Sequence, residues 1–172
     1  MAKKNKGLKL SSIVSLGAIV MAIVAFFLMF APAVKGSFTI GGFKLGEKTY
    51  TGADIAFGYT YTGELTSTKY EVFAFSFMNC LPYLLLLIGV VFSGLAAFGK
   101  LGKIAPVVAA ACYLVAGVFF FCAVPFTQFH TDSADAAAEM RKLLSLQAGV
   151  IVSGILAILS SLSSVSALFI KK

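Results

Sequence analysis

The stretch Leu10 to Ala33, LSSIVSLGAIVMAIVAFFLMFAPA, contains no charged side chain. A helix crossing the roughly 30 Å hydrocarbon core of a bilayer needs about 20 apolar residues at about 1.5 Å rise each. Leu10 to Ala33 meets that length, and so do three later uncharged stretches, Val72 to Gly99, Ile104 to Phe129 and Leu143 to Ile170. Composition agrees: 59% of the 172 residues are hydrophobic and 12% charged, far from the soluble average of about 25% charged. The expectation is an all-α membrane protein, one membrane domain over residues 1–172 with spans near 10–33, 72–99, 104–129 and 143–170.

Charge position gives the orientation. Lys3, Lys4, Lys6, Lys9, Lys100, Lys103, Lys171 and Lys172 lie in the two tails and the short connection between spans two and three, where no acid occurs. All seven acids lie in the other two connections, beside Lys35, Lys44, Lys48, Lys69, Arg141 and Lys142. By the positive-inside rule the lysine-only side is cytoplasmic and both termini lie there. The net charge of +7 is thus a topology signal and not a nucleic-acid footprint. The expected location is the plasma or inner cell membrane, with anionic lipid as a partner of the lysine-rich face.

A basic start and Ala31-Pro32-Ala33 also fit a signal peptide with an A-x-A cleavage site. However, the apolar run from Ile13 to Ala31 exceeds the 7–15 residues of a usual h-region, so an uncleaved anchor is expected. The five residues Gly99 to Lys103 force spans two and three into an antiparallel hairpin. Pro106 suits the first turn of span three, Pro125 its outer end, and Pro82 is expected to kink span two. Span four is expected to begin outside the membrane near residue 133. Asp132 or Ser133 would cap it, Glu139 would pair with Lys142, and one continuous helix would run to Ile170.

Val34 to Glu71 is rich in β-formers, with Gly41-Gly42, Gly46-Glu47 and Thr62-Gly63-Glu64 as breaks, and Thr68 to Phe75 alternates into span two. This predicts a small extracellular antiparallel β-sheet between helices 1 and 2 of the four-transmembrane-helix bundle. Tyr50, Phe57, Tyr59 and Tyr61 are its candidate contact residues, with packing of its tyrosines onto the helix ends as the blander and preferred reading.

No Asp, Glu, Lys, Arg or His lies within a span, which removes the usual carriers of acid–base chemistry and of proton-coupled transport. His130 has Asp132 and Asp135 nearby but no second His or loop Cys to complete a metal site. Cys80, Cys112 and Cys122 fall inside spans, where free thiols are the default, although Cys80 and Cys122 both approach outer helix ends. No catalytic residue, metal site or cofactor is expected. Asn79, Tyr83, Tyr113 and Gln147 are candidate polar contacts between helices, or the lining of a shared pocket. Gly149, Ser153, Ala157 and Ser161 on span four, with Gly89 and Ser93 on span two, form small-xxx-small rows that allow close helix approach.

The layout resembles claudin-like tetraspan membrane proteins. It has a long β-rich first outer segment (34–71), a short inner turn (99–103) and a shorter second outer segment before the last span. Claudins carry a Trp-bearing signature and a cysteine pair in that first segment; both are absent here, so no functional residue carries over. The resemblance implies lateral assembly and outer-face contacts, with the chain itself or another membrane protein as partner. The expected function is therefore non-enzymatic self-assembly or adhesion through the β-rich segment. The alternative is a small-molecule or lipid transport component with an intramembrane cavity.

Overall fold

The structure, a computed structural model, describes residues 10–40, 43–62, 69–131 and 133–170. The lysine tails, the Gly41-Gly42 break, residues 63–68 and Asp132 lie outside the described residues. Helix α1 (Leu10–Phe27) closes in a 3-10 turn (Leu28–Phe30) and leads into β1 (Pro32–Ile40) and β2 (Phe43–Thr51). A short α2 (Gly52–Phe57) then precedes β3 (Tyr59–Thr62) and β4 (Lys69–Phe73). The hairpin α3 (Phe77–Ala97) and α4 (Ile104–Phe121) follows, then α5 (Ala123–Phe126), α6 (Ala134–Lys142), β5 (Ser145–Leu146) and α7 (Ala148–Phe169).

Four helical segments, Leu10–Phe30, Phe77–Ala97, Ile104–Phe121 and Ala148–Phe169, are long and apolar enough to cross a membrane. They form a closed ring in which α1 and α4 each pack against both α3 and α7. Large apolar side chains such as Val20, Leu84, Val107 and Ile155 point outward, while Ala18, Ala22, Ala25, Ala109, Ala116 and Ala157 are fully buried. This inversion of ordinary globular patterning suits a hydrocarbon surround, in which small residues gather where backbones meet.

Each of the four helix interfaces carries one hydroxyl bridge. Ser153 Oγ donates to Ala25 O at 3.1 Å between α7 and α1, and Ser161 Oγ to Ala110 O at 2.8 Å between α7 and α4. Ser12 Oγ donates to Ala97 O at 2.8 Å between α1 and α3, and the hydroxyls of Ser93 and Tyr113 lie 3.1 Å apart between α3 and α4. Glycine removes bulk beside these bridges. A Cβ on Gly89 would stand 2.4 Å from the Tyr113 ring, and one on Gly117 would stand 3.2 Å from Gly154 O. Gly149 faces the start of β1 rather than a helix, where its Cβ would stand 2.4 Å from Pro32 O.

At the lysine-bearing end α3 stops in a Schellman motif. Lys100 N donates to Leu95 O at 2.8 Å and Gly99 N to Ala96 O at 2.9 Å, with Gly99 at φ 70°. The end of α3, the start of α4 and the end of α7 fall within two residues of the bounds read from sequence. At the opposite end all four apolar runs outlast their helices. Ala33, Val34, Val72, Phe73, Phe129 and Leu144 leave the helices and are buried in a β-rich cap. Apolar character predicted burial correctly there, but the backbone is extended or looped.

The cap corrects several expectations. Among the described residues it contains two sheets, one of order β2-β1-β5 and a separate β3-β4 hairpin, all antiparallel. The first sheet therefore draws a strand from the connection before the last span as well as from the segment between the first two. Gly46-Glu47 is no break, because β2 runs through it. Ile55 and Phe57 are not in a strand: Thr51 and Asp54 form a reciprocal capping box, with Asp54 N donating to Thr51 Oγ1 at 3.2 Å and Thr51 N to Asp54 Oδ2 at 2.7 Å. That box starts α2 instead.

The continuous fourth helix from residue 133 is also overturned. Ser133 caps α6 through Ala136 N, and Lys142 Nζ meets Glu139 Oε1 at 2.5 Å, but the helix then breaks. Ser145 and Leu146 pair with Lys35 and Val34, and Gln147 N donates to Ala33 O at 2.8 Å. The edge of β1 takes the chain here, and its backbone groups gain partners from Ser145, Leu146 and Gln147. Pro82 does not interrupt α3, which runs unbroken through it.

The close approach at Gly149 makes a direct prediction. Gly149→Val must force Pro32 aside and should cost about 1–3 kcal/mol, whereas Gly94→Ala, whose added Cβ meets nothing within 4 Å, should be neutral or gain about 0.5–1 kcal/mol. Thermal unfolding in detergent measures both; equal effects would contradict this packing.

Candidate contact surface and its anchor

The cap is positioned by a polar anchor at its junction with the bundle. Ser76 ends the extended chain after β4 and caps α3, its Oγ accepting from Asn79 N at 3.3 Å. The same hydroxyl donates to Phe126 O at 2.6 Å, and Ser76 N donates to Ala56 O at 2.9 Å. Asn79 Nδ2 donates to Ile55 O at 3.3 Å and Thr127 Oγ1 at 3.4 Å, and Thr127 Oγ1 donates to Ala123 O at 2.9 Å. Arg141 Nε donates to Thr127 O at 3.0 Å, which ties α6 to the end of α5. Buried Ser76, Asn79 and Thr127 thereby join α2, α3, α5 and α6 at one point. Sequence reading found Asn79 but missed Ser76 and Thr127. A Ser three residues before Asn79, at the start of a helix, was the available capping signal for Ser76.

The four polar candidates do not share a site. Asn79 belongs to this anchor, and Tyr113 pairs with Ser93 lower in the bundle. Tyr83 sits edge-on to Phe26 and Phe120, with its hydroxyl against Gly52, where a Cβ would come within 2.1 Å. Gln147 lies at the start of α7, its Nε2 3.4 Å from Ser145 Oγ. The alternative of a pocket shared by these four residues is therefore not realised. Cys80, Cys112 and Cys122 are free thiols, so the Cys80–Cys122 pairing is not present.

The cap's aromatic residues divide by depth. Tyr50, one of the candidate contact residues, is only 1% exposed. Its ring meets Phe73 at 4.8 Å and Tyr59 at 5.3 Å, and Phe73 in turn packs on Phe129 at 5.3 Å. It is the centre of the cap core and not a contact residue. Tyr59 and Tyr61 are half-buried, and Phe57 is 58% exposed on α2. Lys48 on β2 lies over this set, with Nζ 4.5 Å from the Tyr59 ring centroid, 5.3 Å from Tyr61 and 5.9 Å from Tyr50, and it donates to Tyr59 Oη. One ammonium thus latches the first sheet to the β3-β4 hairpin, an interaction of about 0.5–1 kcal/mol per exposed cation–π pair. Nothing in the linear sequence marks Lys48, because its partners lie in the other sheet.

Around this latch the surface is charged and solvated. Lys35 Nζ pairs with Glu47 Oε2 at 2.6 Å, and this hydrogen bond together with the Lys35 charge lowers the Glu47 pKa. His130 Nδ1 lies 3.2 Å from Glu71 Oε2, both well exposed. Among the described residues no three His, Cys, Asp or Glu side chains cluster as metal ligands. The arrangement offers an aromatic and charged surface built from both sheets.

Burial, then Tyr59 and Asp54, pushes the Tyr50 hydroxyl from its ordinary 10.0 up to about 12. Between those values the unfolded chain has released the proton and the folded chain has not, so this contribution is complete below pH 10 and is lost as pH rises toward about 12. Tyr50→Phe should flatten the fall of melting temperature across that window relative to wild type; parallel curves would contradict it.

No protein-family model, curated protein or solved structure matches this chain.

Proposed function

We propose that this chain is a non-enzymatic integral protein of the plasma or inner membrane. In this reading both termini and the Lys100–Lys103 turn face the cytoplasm, and the β-rich cap outside mediates self-assembly or attachment to a partner. The observation that carries it is the construction of the cap. Residues from both connections at that end of the bundle are interlocked by backbone pairing (β1 with β5, Phe73 with Phe129) and by the Ser76–Asn79–Thr127 anchor. A segment serving only to connect helices needs no such rigidity, whereas a contact platform gains affinity from having its shape fixed beforehand. The interior of the bundle supports the same reading, since Leu86, Tyr113 and Phe120 are fully buried between close helices. The claudin-like layout is consistent with this proposal at the level of topology alone.

Phe57, Tyr59 and Tyr61 are the side chains best placed to meet a partner, with Lys35 and Glu47 on the same cap. A photo-crosslinking amino acid at Phe57 or Tyr61, irradiated in native membranes, should give a discrete adduct of higher mass. The same group at Phe98, 82% exposed at the lysine end, should give none at that mass. Absence of adducts at both cap positions, with a monomer after mild extraction, would overturn the proposal.

A further inference from the structure

A cavity of 360 Å³ opens at the lysine-bearing end, between the start of α1, the α3–α4 turn and the end of α7. Its volume lies within the roughly 300–1,000 Å³ range of small-ligand sites. Ser11, Ser15 and Lys103 supply its polar lining, and Ala96, Pro106 and Leu168 are among its apolar walls. Ser15 Oγ is committed to Ser11 O, at 3.0 Å, but the Ser11 hydroxyl makes no hydrogen bond among the described residues. Ser12 ties α1 to Ala97 O beside the cavity, so that wall is fixed.

The electrostatics are one-sided. No acid occurs in residues 1–46, 72–131 or 140–172, the three stretches that contain every lining residue. Lys103 lines the cavity, Lys100 stands on the same turn, and in sequence Lys9 directly precedes Leu10 while Lys171 directly follows Ile170. The first turn of α4 adds to this potential, since no side chain caps it. An uncompensated cationic, hydroxyl-lined cavity with apolar walls suits a ligand that is anionic at one end and apolar at the other.

We propose that this cavity binds the phosphate of an anionic membrane lipid, with Lys103 as its cation, Ser11 as a hydroxyl donor and the apolar wall against the lipid's glycerol and upper acyl carbons. The inference rests on the bundle lying in a bilayer and is independent of what the cap contacts. Its failure would leave cap crosslinking unaffected, and a monomeric protein with no cap partner would leave lipid binding unaffected.

Native mass spectrometry of the full chain in neutral detergent, titrated with phosphatidylglycerol or phosphatidylcholine, reads the site directly. Phosphatidylglycerol should be retained in preference to phosphatidylcholine, and Lys103→Gln should weaken its retention by about tenfold, the value of one charge-assisted hydrogen bond. Lys142→Gln, the same charge loss at the cap end, should leave retention unchanged. Ser11→Phe should occupy the cavity and abolish the preference while melting remains cooperative. Equal retention of the two lipids, or equal weakening by Lys103→Gln and Lys142→Gln, would overturn the proposal. Inorganic phosphate that stabilised the protein against heat as well as phosphatidylglycerol does would overturn the assignment to a lipid.

Discussion

Helices surrounded by hydrocarbon gain no escape from water by meeting one another, so they associate only as far as their backbones can come close and share polar groups. Everything else in this structure follows from that constraint. The four interfaces are lined by Ala, Gly and Ser, and each is crossed by one hydroxyl bridge, at Ser12, Ser93, Ser153 and Ser161. Such bonds are worth about 0.6 to 2 kcal/mol each in membranes. Their value is as much geometric, because a hydroxyl reaching a carbonyl on the next helix fixes rotation and depth together. Gly89 against Tyr113 and Gly117 against Gly154 then allow the close contact that dispersion requires.

The cap answers the problem created where those helices end. Helix termini and strand edges near a bilayer present backbone groups that need partners. Here the partners come from the neighbouring connections: β5 completes β1, Ala74 N donates to Gln128 O, and Ser76 serves the Ala56 and Phe126 carbonyls together. The same contacts that satisfy the backbone make the cap a single fixed body on the bundle. That body presents Phe57, Tyr59 and Tyr61 at defined positions, with Lys48 holding the two sheets together. Rigidity at this surface is thus a product of satisfying the helix ends, and it is also what a contact surface requires.

Legibility in the sequence followed the same division. Charge punctuates the lysine end, so Gly99, Ile104 and Ile170 bracketed the ends of α3, α4 and α7 closely. At the cap end hydrophobicity reported burial without reporting conformation, and Val72, Phe73, Phe129 and Leu144 were assigned to spans though they form the cap core. The capping box at Thr51 and Asp54 was missed because the surrounding residues are β-formers. The break before α7 was not readable, because its cause is an edge of β1 more than a hundred residues earlier in the chain. Tyr50 proved to be a packing residue and not a contact, while Lys48 escaped notice since a cation–π latch exists only once two sheets face each other.

The central claim is that the four helices cross a bilayer with the cap on the outer side and the Gly99–Lys103 turn inside. Single cysteines introduced at Thr60 in the cap and at Gly102 in the turn, in a background with Cys80, Cys112 and Cys122 replaced, can be treated with a membrane-impermeant maleimide on intact cells. The account predicts that the Thr60 position labels at once and the Gly102 position only after permeabilisation. Labelling of both positions in intact cells, or of the turn alone, would contradict it.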